Sequence, residues 1–333
     1  MAPLLETKRP PPSRPAPSAV PGRWSEAEVG REASRLESAI RQPQLWGAGM
    51  CRLIAPLTLE INALKAERDA ILLAHSYQTP DIVYGVADAV GDSYGLSKQA
   101  MKATQSTIVF SSVRFMAETA KILNPGKTVL IPEPTAGCSL ADGITRRDVA
   151  SLRRRHPGVP VMGYVNTSAD VKAACDVVCT SSNYLDIARR LPGKELVFLP
   201  DKYMGAHLQR ELAGVKKVHV WDGECEVHVQ FTAASARAWR DAVAAEGRRL
   251  VILAHPECAP NVLAEADYVG STEGMMDYAR RLEADGRVDV MPITECGTAD
   301  RLRAEIPGMR VHGQCVLCPH MKKTTLSSIL QVL

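Results

Sequence analysis

Ile71-Leu72-Leu73-Ala74-His75-Ser76-Tyr77 runs from an apolar stretch into a polar turn, and the chain repeats this pattern twice. Val161-Met162-Gly163-Tyr164-Val165-Asn166 and Ile252-Leu253-Ala254-His255-Pro256-Glu257 follow at intervals of about 90 residues. A second segment aligns without a gap in each copy: Ala87-Asp88-Ala89-Val90-Gly91-Asp92-Ser93, Cys175-Asp176-Val177-Val178-Cys179-Thr180-Ser181 and Ala266-Asp267-Tyr268-Val269-Gly270-Ser271-Thr272. A third supplies strand, turn, amphipathic helix and strand over residues 107–131, 195–220 and 288–311. Every copy then ends on a cysteine, Cys138, Cys225 or Cys318, about 28 residues beyond a valine of the preceding strand.

Short apolar runs alternating with helices are the pattern of parallel strands buried on both faces. The expected fold is therefore α/β: three homologous α/β/α layered domains with parallel sheets around a pseudo-threefold axis. Loops beyond the carboxyl ends of such strands carry function. The residues there differ between copies in complementary ways, so the loops are expected to converge on one cavity instead of forming three separate sites. The expected segments are a disordered extension at 1–24, an N-terminal helix and connector at 25–58, α/β repeats at 59–148 and 149–235, and a third repeat with a C-terminal helix at 236–333. The extension is rich in Pro, Arg, Ser and Ala, with Pro10 to Pro12 consecutive, and has too little apolar surface to order itself. Its Glu6 and its prolines fit an organellar transit peptide poorly. Ser25, followed by Glu26 and Glu28, starts a helix with Leu36 and Ile40 on one side that ends near Pro43.

A chain of 333 residues that is 46% hydrophobic can bury a large core. Its net charge of +3 is small and its aromatic content of 5% offers no stacking surface, which argues against nucleic acid and for a small-molecule partner. No apolar run is long enough to span a membrane and no secretory core opens the chain, so a soluble, cytoplasmic protein is expected. Nine cysteines, odd in number and widely spaced, argue for thiols or metal ligands over a disulfide framework.

The repeat sorts those cysteines. Cys175 stands where the other copies have Ala87 and Ala266, and Cys179 where they have Gly91 and Gly270, so both read as small packing residues. Cys51 carries no signal. Cys258 and Cys296 lie at strand ends in one copy each and are candidates to approach the cavity. Cys138, Cys225 and Cys318 recur at one loop position while their surroundings diverge, which packing does not explain. Three thiolates on one axis suit a 4Fe–4S cluster with one iron free of protein, since an electron-carrying cluster ordinarily takes four. Such an iron acts as a Lewis acid on a hydroxyl or carboxylate, as a dehydratase needs. Zinc held by three thiolates and water is the metal alternative, and Cys315-Val316-Leu317-Cys318 has zinc-ribbon spacing, though a ribbon needs two such pairs. A reversible Cys315–Cys318 disulfide is a further expectation.

At the first strand ends the copies present His75 with Tyr77, Tyr164 with Asn166, and His255 with Glu257. Two imidazoles, two phenols, an amide and a carboxylate cover proton donation, proton abstraction and carbonyl polarisation. Ser93, Ser181 and Ser271-Thr272 open the helices after the second strands, where they read as helix caps and as anion sites. The substrate should be small and multiply anionic. Lys202 is a candidate additional positive charge.

Ala74-His75-Ser76-Tyr77-Gln78, Gly91-Asp92-Ser93, Phe115-Met116-Ala117-Glu118-Thr119, Ala136-Gly137-Cys138-Ser139-Leu140-Ala141-Asp142, Tyr164-Val165-Asn166-Thr167, Pro200-Asp201-Lys202-Tyr203-Met204-Gly205, His255-Pro256-Glu257-Cys258, Gly270-Ser271-Thr272 and Cys318-Pro319-His320-Met321-Lys322 resemble, in order, the signature segments of the quinolinate synthase family. The likeness runs from about Leu59 to the C-terminus. It implies a pseudo-threefold triangle of three α/β domains around a 4Fe–4S cluster. It also implies condensation of iminoaspartate with dihydroxyacetone phosphate to quinolinate, phosphate and water, in de novo NAD biosynthesis. Carried over by segment, Cys138, Cys225 and Cys318 would be the metal ligands, and Tyr77, Glu257 and His75 the catalytic residues. His75, Ser93, Tyr164, Asn166, Ser181, His255, Glu257, Ser271 and Thr272 would bind substrate. The implied partners are an L-aspartate oxidase or dehydrogenase that supplies iminoaspartate and the iron–sulfur assembly machinery. Ser111-Ser112-Val113 and Ser76 depart from the family, which often has Cys-Gly and Asn there. The competing expectations are another three-cysteine hydro-lyase and a non-catalytic iron or redox sensor.

Overall fold

The computed structural model describes residues 23–282 and 286–333. Three parallel sheets dominate it. β1 (Ala70–His75), β2 (Ala89–Gly91), β3 (Thr107–Ser111) and β4 (Thr128–Leu130) form the first, in the order β2-β1-β3-β4. β5 (Val161–Tyr164), β6 (Val177–Cys179), β7 (Glu195–Leu199) and β8 (Lys217–Val220) repeat it as β6-β5-β7-β8. β9 (Arg249–Ala254), β10 (Tyr268–Val269) and β11 (Val288–Ile293) give β10-β9-β11, and the fourth strand survives as a single parallel bridge between Val290 and Val311. The same strand order in every sheet bears out the threefold repeat. The central strands β1, β5 and β9 are almost wholly buried, as their continuous apolar runs require.

Residue 59 lies within the helix Ala48–Glu67, residue 149 within Arg146–Arg155 and residue 236 within Ala233–Ala245. The connector expected before residue 59 is thus largely helix. Caps mark these starts: Thr145 and Asp148 form a capping box, and the Thr232 hydroxyl accepts from the Ser235 N–H. Each helix after a repeat cysteine packs on the next sheet. Val149 and Leu152 join Val161 and Val197, while Ala236 and Val243 join Leu250 and Ile252. The last helix, Leu326–Val332, does the same for the first sheet, with Leu326, Ile329 and Leu330 against Leu72, Ala74 and Val109. The last helix shares that face of the first sheet with the helix Ala48–Glu67, whose Ile61 lies in the same cluster, and so joins the third repeat to the first.

Before the first sheet, Ser25 caps the helix Glu26–Ile40 in a capping box with Glu28. Leu36 and Ile40 are buried against Cys51 and Ala55. Two residues of the expected disordered extension are seated: Arg23 pairs with Glu60 and Glu67, and Trp24 Nε1 donates to Glu60 at 3.2 Å. Residues 1–22 lie outside the described residues. Among the described residues no helix is long and apolar enough to cross a membrane.

The helix Lys202–Glu211 meets β8 through Gly205, where an added Cβ would lie 2.3 Å from Val220 Cγ1. Gly205→Ala should overpack this contact and cost about 1–3 kcal/mol. A urea midpoint equal to wild type would contradict the packing.

Candidate functional site

The carboxyl ends of the three sheets surround one cavity. Cys138, Cys225 and Cys318, one from each repeat, all line it. So do His75, Tyr77, Ser93, Tyr164, Asn166 and Ser181. His255, Glu257 and Thr272 complete the expected set, which leaves only Ser271 outside the wall.

Each cysteine stands just before a short helical turn: Ser139–Asp142, His228–Gln230 and Met321–Lys323. The geometry at sulfur repeats as well. Backbone N–H groups two and three residues ahead point at each Sγ: Leu140 and Ala141 at Cys138, Val227 and His228 at Cys225, His320 and Met321 at Cys318. Such donors favour a thiolate. Burial opposes them, pushing Cys138 up to about 12, Cys318 up to about 11 and Cys225 well above the usual thiol range. The Glu257 charge adds to the rise at Cys138 and Cys225. Three free thiols, prepared by N–H donors yet held neutral by burial, fit a bound metal centre whose positive charge would ionise them.

The remaining cysteines sort by packing, with one correction. Cys51 and Cys179 are core residues, and Cys175 Sγ fills the space above Gly163. Cys258 is buried and does not line the cavity. Cys315 bonds to Cys296 and not to Cys318, with their Cα atoms 4.9 Å apart. The two are 19 residues apart in sequence, and only the packing of the helix Cys296–Glu305 beside the Cys318 loop brings them together.

Glu257 is the centre of the polar network. Its Oε1 accepts from the Tyr164 hydroxyl at 2.6 Å and from Asn166 Nδ2 at 3.4 Å, while Oε2 lies 2.9 Å from His228 Nδ1. Burial alone would raise its pKa, but the His255 and His228 rings and these donors hold it below the usual carboxylate range. Tyr77 OH meets Thr294 Oγ1 at 2.6 Å and Thr272 Oγ1 at 3.4 Å. Both Tyr77 and Tyr164 are pushed well above the usual phenol range by burial, so each keeps its proton.

A shared local turn sets the two first-strand histidines. The Tyr77 N–H donates to His75 Nδ1 at 3.1 Å, and the Glu257 N–H donates to His255 Nδ1 at 3.4 Å. With Nδ1 accepting, the neutral ring carries its proton on Nε2, where it can serve as a donor. Burial pushes both imidazoles down to about 3, and the Arg301 charge adds to this at His75.

Ser93 is freed for the cavity because Asp92, not Ser93, caps its helix, accepting from the Gly95 N–H at 2.8 Å. Ser181 precedes its helix by a turn in which the Thr180 N–H donates to Asn183. Ser271 does cap, accepting from the Gly274 N–H at 3.2 Å, which leaves Thr272 to face the cavity. Lys202 points elsewhere and pairs with Glu224 at 2.5 Å.

His228 and Thr294 are functional candidates the repeat did not reveal. His228 Nδ1 lies 3.2 Å from Cys225 Sγ, and its Nε2 lies 2.9 Å from Thr294 Oγ1. The spacing Cys225-x-x-His228 was the available signal, but Ala141 and Met321 hold that place in the other copies. Cys225, His228 and Glu257, with ligand atoms within 4.8 Å, are among the described residues the one trio close enough to share a single ion. The three cysteines are not such a trio. A multi-atom cluster spans more than a lone zinc, whose bonds to sulfur are about 2.3 Å.

A family model described as Quinolinate synthetase A protein matches residues 59–333. Similar proteins include a "Quinolinate synthase" of Sinorhizobium medicae, 48% identical over 84% of this chain and 75% of its own length. A "Quinolinate synthase 1" of Mesorhizobium japonicum is 49% identical over 80% and 79%, and a "Quinolinate synthase" of Caulobacter vibrioides is 45% identical over 85% and 76%.

Both buried imidazoles are harder to protonate folded than unfolded, so the unfolded chain takes up protons first as pH falls. Stability should therefore decline from about pH 6.5, the unfolded histidine value, toward about pH 3. Imidazole NMR that found His75 and His255 protonated near pH 6 would refute it.

Proposed function

The chain belongs to the quinolinate synthetase A family, and from that membership we propose that it is an enzyme of NAD biosynthesis that condenses iminoaspartate with dihydroxyacetone phosphate to quinolinate, phosphate and two waters. The observation that carries this reading is the repeated sulfur site: one cavity, one thiol from each repeat, and the same pair of N–H donors behind each thiol. Cys138, Cys225 and Cys318 would hold a 4Fe–4S cluster. When bound, it supplies an iron without a protein ligand that polarises a substrate hydroxyl for loss as water.

The chain's own residues do the rest. The Nε2–H groups of His75 and His255, with the hydroxyls of Ser93, Ser181 and Thr272, donate to carboxylate and phosphate oxygens. Because these imidazoles are neutral, they bind anions as hydrogen-bond donors and leave the substrate's charge to be balanced elsewhere. Glu257 is held ionised and accepts a proton from the condensing carbons as the enamine carbon bonds to the triose with loss of phosphate, and the nitrogen then closes the ring on the carbonyl with loss of the first water. Tyr77, held protonated, returns one to the departing oxygen. Tyr164 and Asn166 keep the Glu257 carboxylate oriented. Ser271 contributes through the helix start and not through direct contact. Such an enzyme works in the cytoplasm, receives iminoaspartate from an L-aspartate oxidase or dehydrogenase, and takes its cluster from the iron–sulfur assembly machinery.

The close trio Cys225, His228 and Glu257 favours a second reading, a single-ion enzyme. Metal analysis after anaerobic purification separates the two: iron with sulfide supports the first, one zinc per chain the second. Cys225→Ser should abolish the iron–sulfur absorbance, and an intact spectrum would remove its ligand role. Glu257→Gln should keep that absorbance and lower kcat for quinolinate formation by about 10²- to 10⁴-fold. Full turnover in that variant would remove the base.

A further inference from the structure

Glu295 and Lys322 lie outside the cavity wall, yet together they join two of its loops. The Glu295 carboxylate, which follows β11, is fully buried. Its Oε2 accepts from the Gly297 N–H at 2.7 Å and so caps the helix Cys296–Glu305. Its Oε1 accepts from the Cys318 N–H at 3.2 Å and pairs with Lys322 Nζ at 2.8 Å. Lys322 Nζ also donates to the backbone carbonyl of Tyr77. One ion pair thus runs from a cluster-ligand loop of the third repeat to the catalytic loop of the first.

The backbones around this pair are in close contact. A Cβ on Gly297 would come 2.6 Å from the Ser76 carbonyl oxygen and 3.0 Å from Tyr77 Cα. Arg301, on the same helix, donates to Ser76 Oγ at 2.7 Å. The Cys318 loop is tied to the same helix end by the Cys296 N–H to the Val316 carbonyl at 3.0 Å and by the Cys296–Cys315 disulfide. A buried ion pair gains little stability over an apolar contact, but its donors and acceptors are directional. Apolar side chains would hold the loops together without setting their register.

We infer that Glu295 and Lys322 are a positioning pair that fixes the Tyr77 loop against the Cys318 loop, and so sets where the Tyr77 phenol stands relative to the metal-binding thiol. The inference rests on the proposed function for its catalytic consequence, but not for the coupling of the two loops.

The test uses the full chain carrying Lys322→Met or Lys322→Arg, each alone and combined with Tyr77→Phe. Lys322→Met should keep the wild-type iron content and lower kcat per loaded cluster by about 10- to 100-fold, as expected for a small displacement of a reacting group. KM should change by less than about threefold, because no group in contact with substrate is removed. Lys322→Arg should recover part of the loss. In the Tyr77→Phe background Lys322→Met should add almost nothing, since it acts through that phenol. Amide hydrogen exchange on the same proteins without substrate should quicken by about tenfold or more at residues 76–79 and 316–320, and stay unchanged in the sheet formed by β5 to β8. Equal losses in both backgrounds, or unaltered exchange at 76–79, would overturn the inference. Should Lys322→Met fail to fold, Lys322→Arg carries the same cycle. Loss of cluster in both variants with undiminished kcat per loaded cluster would reduce the pair to a structural tether. A wild-type chain that makes no quinolinate would refute the proposed function, while the exchange measurement would still decide the coupling.

Discussion

Three parallel sheets can point their carboxyl ends at one cavity only if the ring they form is closed, and the closing contact is apolar. Leu326, Ile329 and Leu330 of the last helix bury against Leu72, Ala74 and Val109 of the first sheet. The helices Arg146–Arg155 and Ala233–Ala245 make the equivalent contacts one repeat along. Because each such helix follows a repeat cysteine, hydrophobic burial of the helix also carries a thiol to the centre. The position of Cys318 therefore depends on a contact between the last helix and the first sheet.

Within that ring the centre is built largely from neutral donors. The His75 and His255 rings are kept uncharged by burial, with their protons directed to Nε2 by backbone N–H groups. Tyr77 and Tyr164 keep their protons for the same reason, and the buried Asp201 is pushed up by burial and by the charge of Glu257. Glu257 stands apart because it has enough donors to remain ionised. A carboxylate fixed by hydrogen bonds among neutral donors gives proton transfer a direction.

Ser76 and Ser112 act as supports, and neither lines the cavity. Ser76 Oγ donates to Glu273 at 3.0 Å and accepts from Arg301, which ties the residue between His75 and Tyr77 to the neighbour of Thr272. Ser112 is buried against the sulfurs of Met116 and Met321. Both serines keep the strand-end loops in place through contacts that cross between repeats or between the ligand turn and the sheet.

By itself the sequence determined the threefold α/β repeat, the parallel sheets, and which thiol and which strand-end residues would meet, because those features recur at fixed intervals and a recurring position has a recurring place in the fold. Nearly every expected site residue lines the cavity, and Ser271 misses it only because its hydroxyl serves as a helix cap. Tertiary structure alone decided what occurs once. The roles of His228, Thr294, Glu295 and Lys322 and the Cys296–Cys315 bond have no counterpart in the other copies. Each depends on residues far apart in the chain that meet only after the sheets have packed, and no local periodicity records such a meeting.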